Sequence, residues 1–286
     1  MRLLSFVHNG SPSFGLAVEG GIIDLRARLK TCPSLDALLA QTGGDVRPAV
    51  APFAGDTPDV ALDAVQFLPP LAQPSKIICV GLNYRNHIAE SGRPTGDHPT
   101  LFSRWPDTHV GHGAPMIRPA VSHMYDYEGE LAVVIGKAGW HVPAAEAMDH
   151  VLGYSCYNEG TIRDFQRHTS QFLAGKNFRA SGAFGPWIVL ADTVPDYRAL
   201  TLTTRLNGEV VQQGELSDLI FDLPALISYI TTFTPLAPGD VIVSGTPEGV
   251  GAYRKPPLWM RAGDTVEVEV SGIGILANPI VDEAEA

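Results

Sequence analysis

MYDYEGELAVVIG, residues 124–136, sets Glu128 and Glu130 at the mouth of a run that otherwise reads as a buried strand. Side chains alternate faces along a strand, so Glu128 and Glu130 project to one side while Gly129 and Leu131 take the other. Two like charges beside a low-dielectric core repel each other and lose hydration, a cost of several kcal/mol per ion. A metal cation between them would relieve both penalties. The alternative is an exposed strand end with two solvated acids.

Working outward, strand signals dominate: KIICVG (76–81), WIVLA (187–191), LTLTTRLNG (200–208), DVIVSG (240–245) and DTVEVEV (264–270), most of them closed by glycine or a turn. Helical patterns are fewer, in NYRNHIAES (83–91), PAAEAMDHVL (143–152), TIRDFQRH (161–168) and DLPALISYITTF (222–233). The two kinds do not alternate regularly, so the expected class is a β-rich α+β fold and not a doubly wound parallel sheet. Ahead of these segments, residues 1–70 read as a small N-terminal β-rich domain. It comprises a meander of hairpins turning at Asn9-Gly10 and Gly20-Gly21, and a helix started by Ser34 and stopped by Gly43. The proline-rich FLPPLAQPSK (67–76) places a boundary there, with a second, catalytic domain over 71–286.

Composition narrows the function classes. The chain has 286 residues, 45% hydrophobic and 18% charged, which suits a folded globular protein. A net charge of -11 disfavours nucleic acid and anionic membranes as partners. No apolar run reaches the ~20 residues of a membrane helix, and the opening MRLLSFVHNG breaks too early for a signal peptide, so a cytoplasmic protein is expected. Cys32, Cys79 and Cys156 are odd in number and far apart, the pattern of reduced, buried thiols.

Four constellations offer chemistry. YSCYNEGTIRDFQ (154–166) brings Glu159 to the end of another apolar strand. With Glu128 and Glu130 it makes an oxygen-rich set of the kind Mg²⁺ or Mn²⁺ occupies; alternatively it is an acid favouring the start of the helix that follows. In GLNYRNHIAESG (81–92), with Asn83 as the expected cap, His87 and Glu90 fall three apart on one helical face. A carboxylate on one imidazole nitrogen makes the other a better base, although an ordinary surface pair has the same spacing. FLAGKNF (172–178) supplies Lys176, and VIVSGTPEGVG (241–251) a glycine-rich loop with Thr246 that lacks the order of a nucleotide motif. His109, His112 and His123 have no nearby cysteine and no regular spacing, and no zinc site is expected from them.

Taken in order, IICVGLNYRNHIAE, DYEGELAVVIG, GYSCYNEGTIRDFQ, GKNF, FGPWIV, TRLNGEVVQ, LIFDLPALISYIT, LAPGDVIVSGTPEGVG and GDTVEVEVSGIGIL resemble the fumarylacetoacetate hydrolase family over roughly residues 75–280. The resemblance implies a mixed β-sheet roll, usually a homodimer, acting with Mg²⁺ or Mn²⁺ on small 2-oxo or 2,4-dioxo acids. It implies that Glu128, Glu130 and Glu159 are the metal ligands, the third being aspartate in many members. His87 and Glu90 match a catalytic dyad on a lid helix, which sets the expected lid at Arg85 to His98. Lys176 matches the family lysine, and Arg163, Gln166 and Thr246 match substrate-contacting positions. Arg104 stands where many members carry lysine, and Leu82 where some carry arginine, two differences that bear on the substrate's far end. The function expected on this basis is hydrolysis of the C–C bond of a 2,4-dioxo acid. Water activated by His87 and Glu90 would attack, the metal would stabilise the enolate, and Lys176 would steady the oxyanion. An oxaloacetate-type decarboxylase or isomerase is the alternative.

Overall fold

A computed structural model describes residues 1–92 and 96–285. The Gly129–Ile135 strand is buried along its whole length. Its alternation is strict: Leu131, Val133 and Ile135 enter one hydrophobic core, Ala132 and Val134 the other. A strand covered on both faces reads as a continuous apolar run, which is why this segment lacks polar alternation.

This strand pairs antiparallel with Val151–Asn158 on one side and Val241–Val243 on the other. The sheet continues past Val151–Asn158 through Gly182–Leu190 to the N-terminal strands Arg2–His8, Ser11–Val18 and Gly21–Asp24. In the other direction it reaches Ile77–Gly81 and Thr100–Ser103. A second sheet of five strands, Glu209–Glu215, Thr201–Leu206, Thr265–Val270, Gly274–Asp282 and Met116–Arg118, closes over the face bearing Leu131 and Val133. The expected β-rich α+β class is the observed one. Hydrogen bonding crosses from Leu3 to Ile188, so one sheet runs continuously through both sides of the proline-rich segment near residue 70.

The helices are short and lie around the sheets. Leu35–Thr42 begins where Ser34 Oγ accepts from the Ala37 N–H (3.1 Å), ends at Gly43 in the left-handed region, and buries Leu35, Leu38 and Leu39 in the second core. The PAAEAMDHVL segment forms a 3₁₀ stretch, Ala144–His150. Cys32, Cys79 and Cys156 are buried and unlinked. Among the described residues no helix is long and apolar enough to cross a membrane.

Register and strand direction assemble the site. Gly129 lies opposite Asn158, so the next pair outward is Glu128 and Glu159, joined by a hydrogen bond from the Glu159 N–H to the Glu128 carbonyl (2.8 Å). Ile77–Gly81 and Val241–Val243 run parallel to each other and antiparallel to Gly129–Ile135. Their C-terminal ends therefore deliver the segments following Gly81 and Val243 to the same edge at which the two acids enter.

Candidate active site

The carboxylates of Glu128, Glu130 and Glu159 are buried, with one oxygen from each lying within 4.8 Å of the others. Gly129 faces away: a Cβ there would run into Thr204, Leu202 and Val268 of the second sheet. The period-two reading of DYEGE thus holds, and it extends one step back to buried Asp126. Glu159 precedes the helix Arg163–Gln166 by a short strand, and its first-turn acid is Asp164, so the helix-start alternative for Glu159 is not the observed arrangement.

Two cations hold this set. Lys176 Nζ donates to Glu128 Oε2 (2.6 Å) and Glu159 Oε2 (2.9 Å). Arg163 Nε donates to Asp126 Oδ2 (2.7 Å), its Nη1 donates to Gln166 Oε1 (3.0 Å), and its Nη2 lies 2.6 Å from Glu128 Oε1, an ion pair at an angle too oblique for a hydrogen bond. Burial alone would raise the Glu128 carboxyl, but Arg163 and Lys176 together outweigh it and hold the group at about 2. Among the described residues Glu130 has no cation in direct contact. It accepts the Gly245 N–H (2.5 Å), while burial, then Glu159 and Glu128, push its carboxyl well above the ordinary range. Glu159 Oε1 is buried with no hydrogen-bond partner among the described residues. Three convergent buried carboxylates, one forced towards its protonated form and one with an orphaned oxygen, are oxygen donors of the kind that could hold a hard divalent cation.

The glycine-rich loop is a backbone clamp. After Val241–Val243, the Gly245 N–H goes to Glu130, the Gly249 N–H to Glu90 (3.1 and 3.2 Å), and the Gly251 and Ala252 N–H groups to Asp126 (2.7 and 2.9 Å). Gly245 (φ +102) and Gly249 (φ +96) need the left-handed backbone, and a Cβ at Gly245 would press on Asn83 at 2.7 Å. One loop therefore ties together acids from two separate segments, Glu90 of the short helix and Asp126 and Glu130 of the DYEGE run.

The helix expected over NYRNHIAES spans Arg85–Ser91 and ends at Gly92 in the left-handed region. Asn83 does not cap it. Tyr84 holds the cap position without a side-chain bond, and Asn83 is buried, donating to the Phe221 and Ser244 carbonyls and accepting from the Phe221 N–H. A buried amide able to satisfy three backbone groups makes more of those contacts than of a helix start. His87 Nδ1 lies 2.8 Å from Glu90 Oε1, leaving Nε2 for the cavity. The expected lid extends past this helix, and its residues 93–95 lie outside the described residues.

His87, Glu128, Glu130, Glu159, Arg163, Gln166, Lys176 and Thr246 line one cavity of about 40 Å³, room for a few water-sized groups, and Glu90 stands behind His87. Thr246 Oγ1 donates to the Gly129 carbonyl (2.9 Å) and accepts from Gln212 Nε2 (2.8 Å). Arg104 is not at the substrate's far end. It is buried behind the site, bonded to the Gly160 carbonyl (3.0 Å), Ser181 Oγ (2.9 Å) and Thr108 Oγ1 (3.3 Å), whereas Leu82 does line the cavity. His109 bonds Tyr157 and His112 accepts from the Ala277 N–H, so these two do not converge. Sequence reasoning missed Asp126, Gln212, Tyr253 and Arg167. Only Asp126 had a signal, its place two residues before Glu128 in the same alternating run.

The sequence model of the fumarylacetoacetate (FAA) hydrolase C-terminal domain matches residues 76–281. The chain belongs to the fumarylacetoacetate hydrolase family. It is 38% identical to human oxaloacetate tautomerase FAHD2A, mitochondrial, over 98% of this chain and 92% of that protein. The solved fumarylacetoacetate hydrolase of the psychrophile Exiguobacterium antarcticum superposes with a TM-score of 0.84 at 33% identity, covering 99% of this chain and 100% of that one. Maleylpyruvate hydrolase of Sphingobium sp. SYK-6, solved with manganese(II) and pyruvate, superposes at 0.82 with 26% identity over 99% of each chain. By their names, members of this family of enzymes include tautomerases, hydrolases and isomerases.

Proposed function

We propose that this protein is a divalent-metal-dependent enzyme of 2-oxo acids whose reaction is proton transfer at the carbon next to the 2-oxo group, interconverting enol and keto forms of an oxaloacetate-like substrate. The observation that carries this reading is the His87–Glu90 pair, 2.8 Å apart, facing the cavity floored by the three glutamates. Glu128, Glu130 and Glu159 would hold Mg²⁺ or Mn²⁺, which when bound supplies Lewis-acid polarisation of the 2-oxo group. Glu90 fixes the proton on His87 Nδ1, so Nε2 is the base that takes and returns the proton at the adjacent carbon. The Lys176 ammonium favours the oxygen charge that develops as the proton leaves. The glutamates and Arg163 are locked by their partners, which keeps this geometry from relaxing during turnover.

Proton transfer at carbon needs one positioned base and no activated water, and the name of the 38% identical relative, matched over 98% of this chain, favours it. Hydrolysis of a 2,4-dioxo acid is the second reading. It uses the same dyad to activate water, and the maleylpyruvate hydrolase likeness favours it. The test is to follow enol-oxaloacetate and an acylpyruvate separately with purified protein and Mn²⁺. Acceleration of the enol–keto step that disappears on removing the ion supports the proposal; absence of any acceleration overturns it, and acylpyruvate cleavage alone moves the second reading to first place.

A further inference from the structure

We propose that Arg167 recognises a second carboxylate on the substrate, making the site selective for 2-oxo dicarboxylic acids over their monocarboxylic counterparts; this rests on the 2-oxo acid reading above. Among the described residues three permanent cations line the cavity: Arg163, Arg167 and Lys176. Two are already engaged. Lys176 is divided between Glu128 and Glu159, and Arg163 is divided among Asp126, Gln166 and Glu128. The guanidinium of Arg167 has no hydrogen bond or ion pair among the described residues; only its backbone N–H is used, closing the helix turn on the Asp164 carbonyl (3.0 Å). In a chain with 31 acids to 20 bases, an arginine left without an acid at the mouth of a cavity is notable. Its charge is available to an incoming anion.

Placement supports the same assignment. Arg163 is the first residue of the short helix Arg163–Gln166 and Arg167 is its C-terminal cap, so the two are four residues apart on one helical face. Arg163 is buried against the glutamates, whereas Arg167 is exposed. Both line the same cavity as Glu128, Glu130 and Glu159, so a substrate with its 2-oxo carboxylate at the glutamate floor has its other end directed to the Arg167 side of that cavity, and guanidinium pairs well with carboxylate.

L-malate and L-lactate form a matched pair of probes, differing by one carboxylate at the far end, and oxalate reports the chelating end alone. Their binding to Mn²⁺-loaded protein is measured by calorimetry for the parent, Arg167→Met and Arg167→Lys. The expected result is weaker malate binding by roughly 10- to 100-fold in Arg167→Met, partial recovery in Arg167→Lys, and unchanged lactate and oxalate. Oxalate binding with malate affinity unchanged in Arg167→Met overturns the Arg167 assignment alone, as does an equal loss for malate and lactate. Failure of the parent to bind oxalate overturns the 2-oxo acid reading and the Arg167 assignment with it.

Discussion

Glu128 is held on three sides, by Lys176, by Arg163 and by a backbone hydrogen bond to Asn158 Oδ1 (3.2 Å), whereas His87 is held by one carboxylate, itself fastened to a single backbone N–H at Gly249. The floor of the site grows out of paired strands whose register is fixed by two hydrophobic cores. His87 sits on a helix of seven residues with no side-chain cap, too short to be stable apart from its tertiary contacts. The contrast separates two tasks. Collecting negative charge needs a rigid, prepaired frame, because any released carboxylate would be stranded in low dielectric; presenting a base needs only one correct hydrogen bond. Changes in the floor should therefore disturb metal binding and folding, and changes in the helix should disturb rate alone.

The largest expected effect is at Glu130. Glu130→Ala should weaken Mn²⁺ binding by more than the ~10–100-fold usual for a group outside the ligand set, and abolish metal-dependent turnover. Because burial and its neighbours raise the Glu130 carboxyl, an ion binding there displaces a proton. Parent affinity should rise with pH until Glu130 is ionised, and calorimetry of Glu130→Ala should show that slope reduced. Equal affinity and slope in the two proteins would remove Glu130 from the ligand set.

His87→Ala, on the helix side, should lower turnover by about 10²–10⁴ while leaving Mn²⁺ affinity at the parent value. Loss of both together would show that the two regions are not separable. Back on the floor, Arg163→Met leaves Asp126 and Glu128 buried without their guanidinium and should cost about 3–5 kcal/mol in urea unfolding. Arg163 and Lys176 depress Glu128 from its unbound 4.5 to about 2, so the stabilisation is complete above the first value and is lost as pH falls towards the second. The deficit of Arg163→Met should narrow over that acid range; a pH-independent deficit would place its cause elsewhere. The smallest effect is expected for Glu90→Gln. The imidazole stays but loses the charge that fixes its tautomer, so kcat should fall about 10–100-fold with stability within ~1 kcal/mol of the parent. A large loss of stability would mean that the Glu90–Gly249 contact is a structural fastening and not an adjunct to His87.

The same contrast explains what the sequence made legible. Strand alternation is a two-residue rule, so DYEGELAVVIG was enough to put Glu128 and Glu130 on one side, and the apolar run beside them marked that side as dry. Helix spacing likewise brought His87 and Glu90 together. Long-range partners were not legible: nothing local says that Asn83 turns inward to Phe221 and Ser244, or that Arg104 bonds Gly160 and Ser181 instead of reaching the cavity. The glycine-rich loop showed in sequence only that it lacks the order of a nucleotide motif, because its contacts run through backbone N–H groups, which every residue except proline has. Arg167 escaped notice for a related reason, since an unpartnered cation is visible only once the partners of its neighbours are known.

We expect Glu128, Glu130 and Glu159 to form one divalent-ion site beneath His87. Anomalous diffraction from crystals soaked in Mn²⁺ tests it directly. The expected result is a single strong peak bounded by oxygens of all three glutamates, in the cavity that His87 lines. A peak elsewhere, at His109 or His112 for instance, or none among the three carboxylates at saturating Mn²⁺, would contradict it.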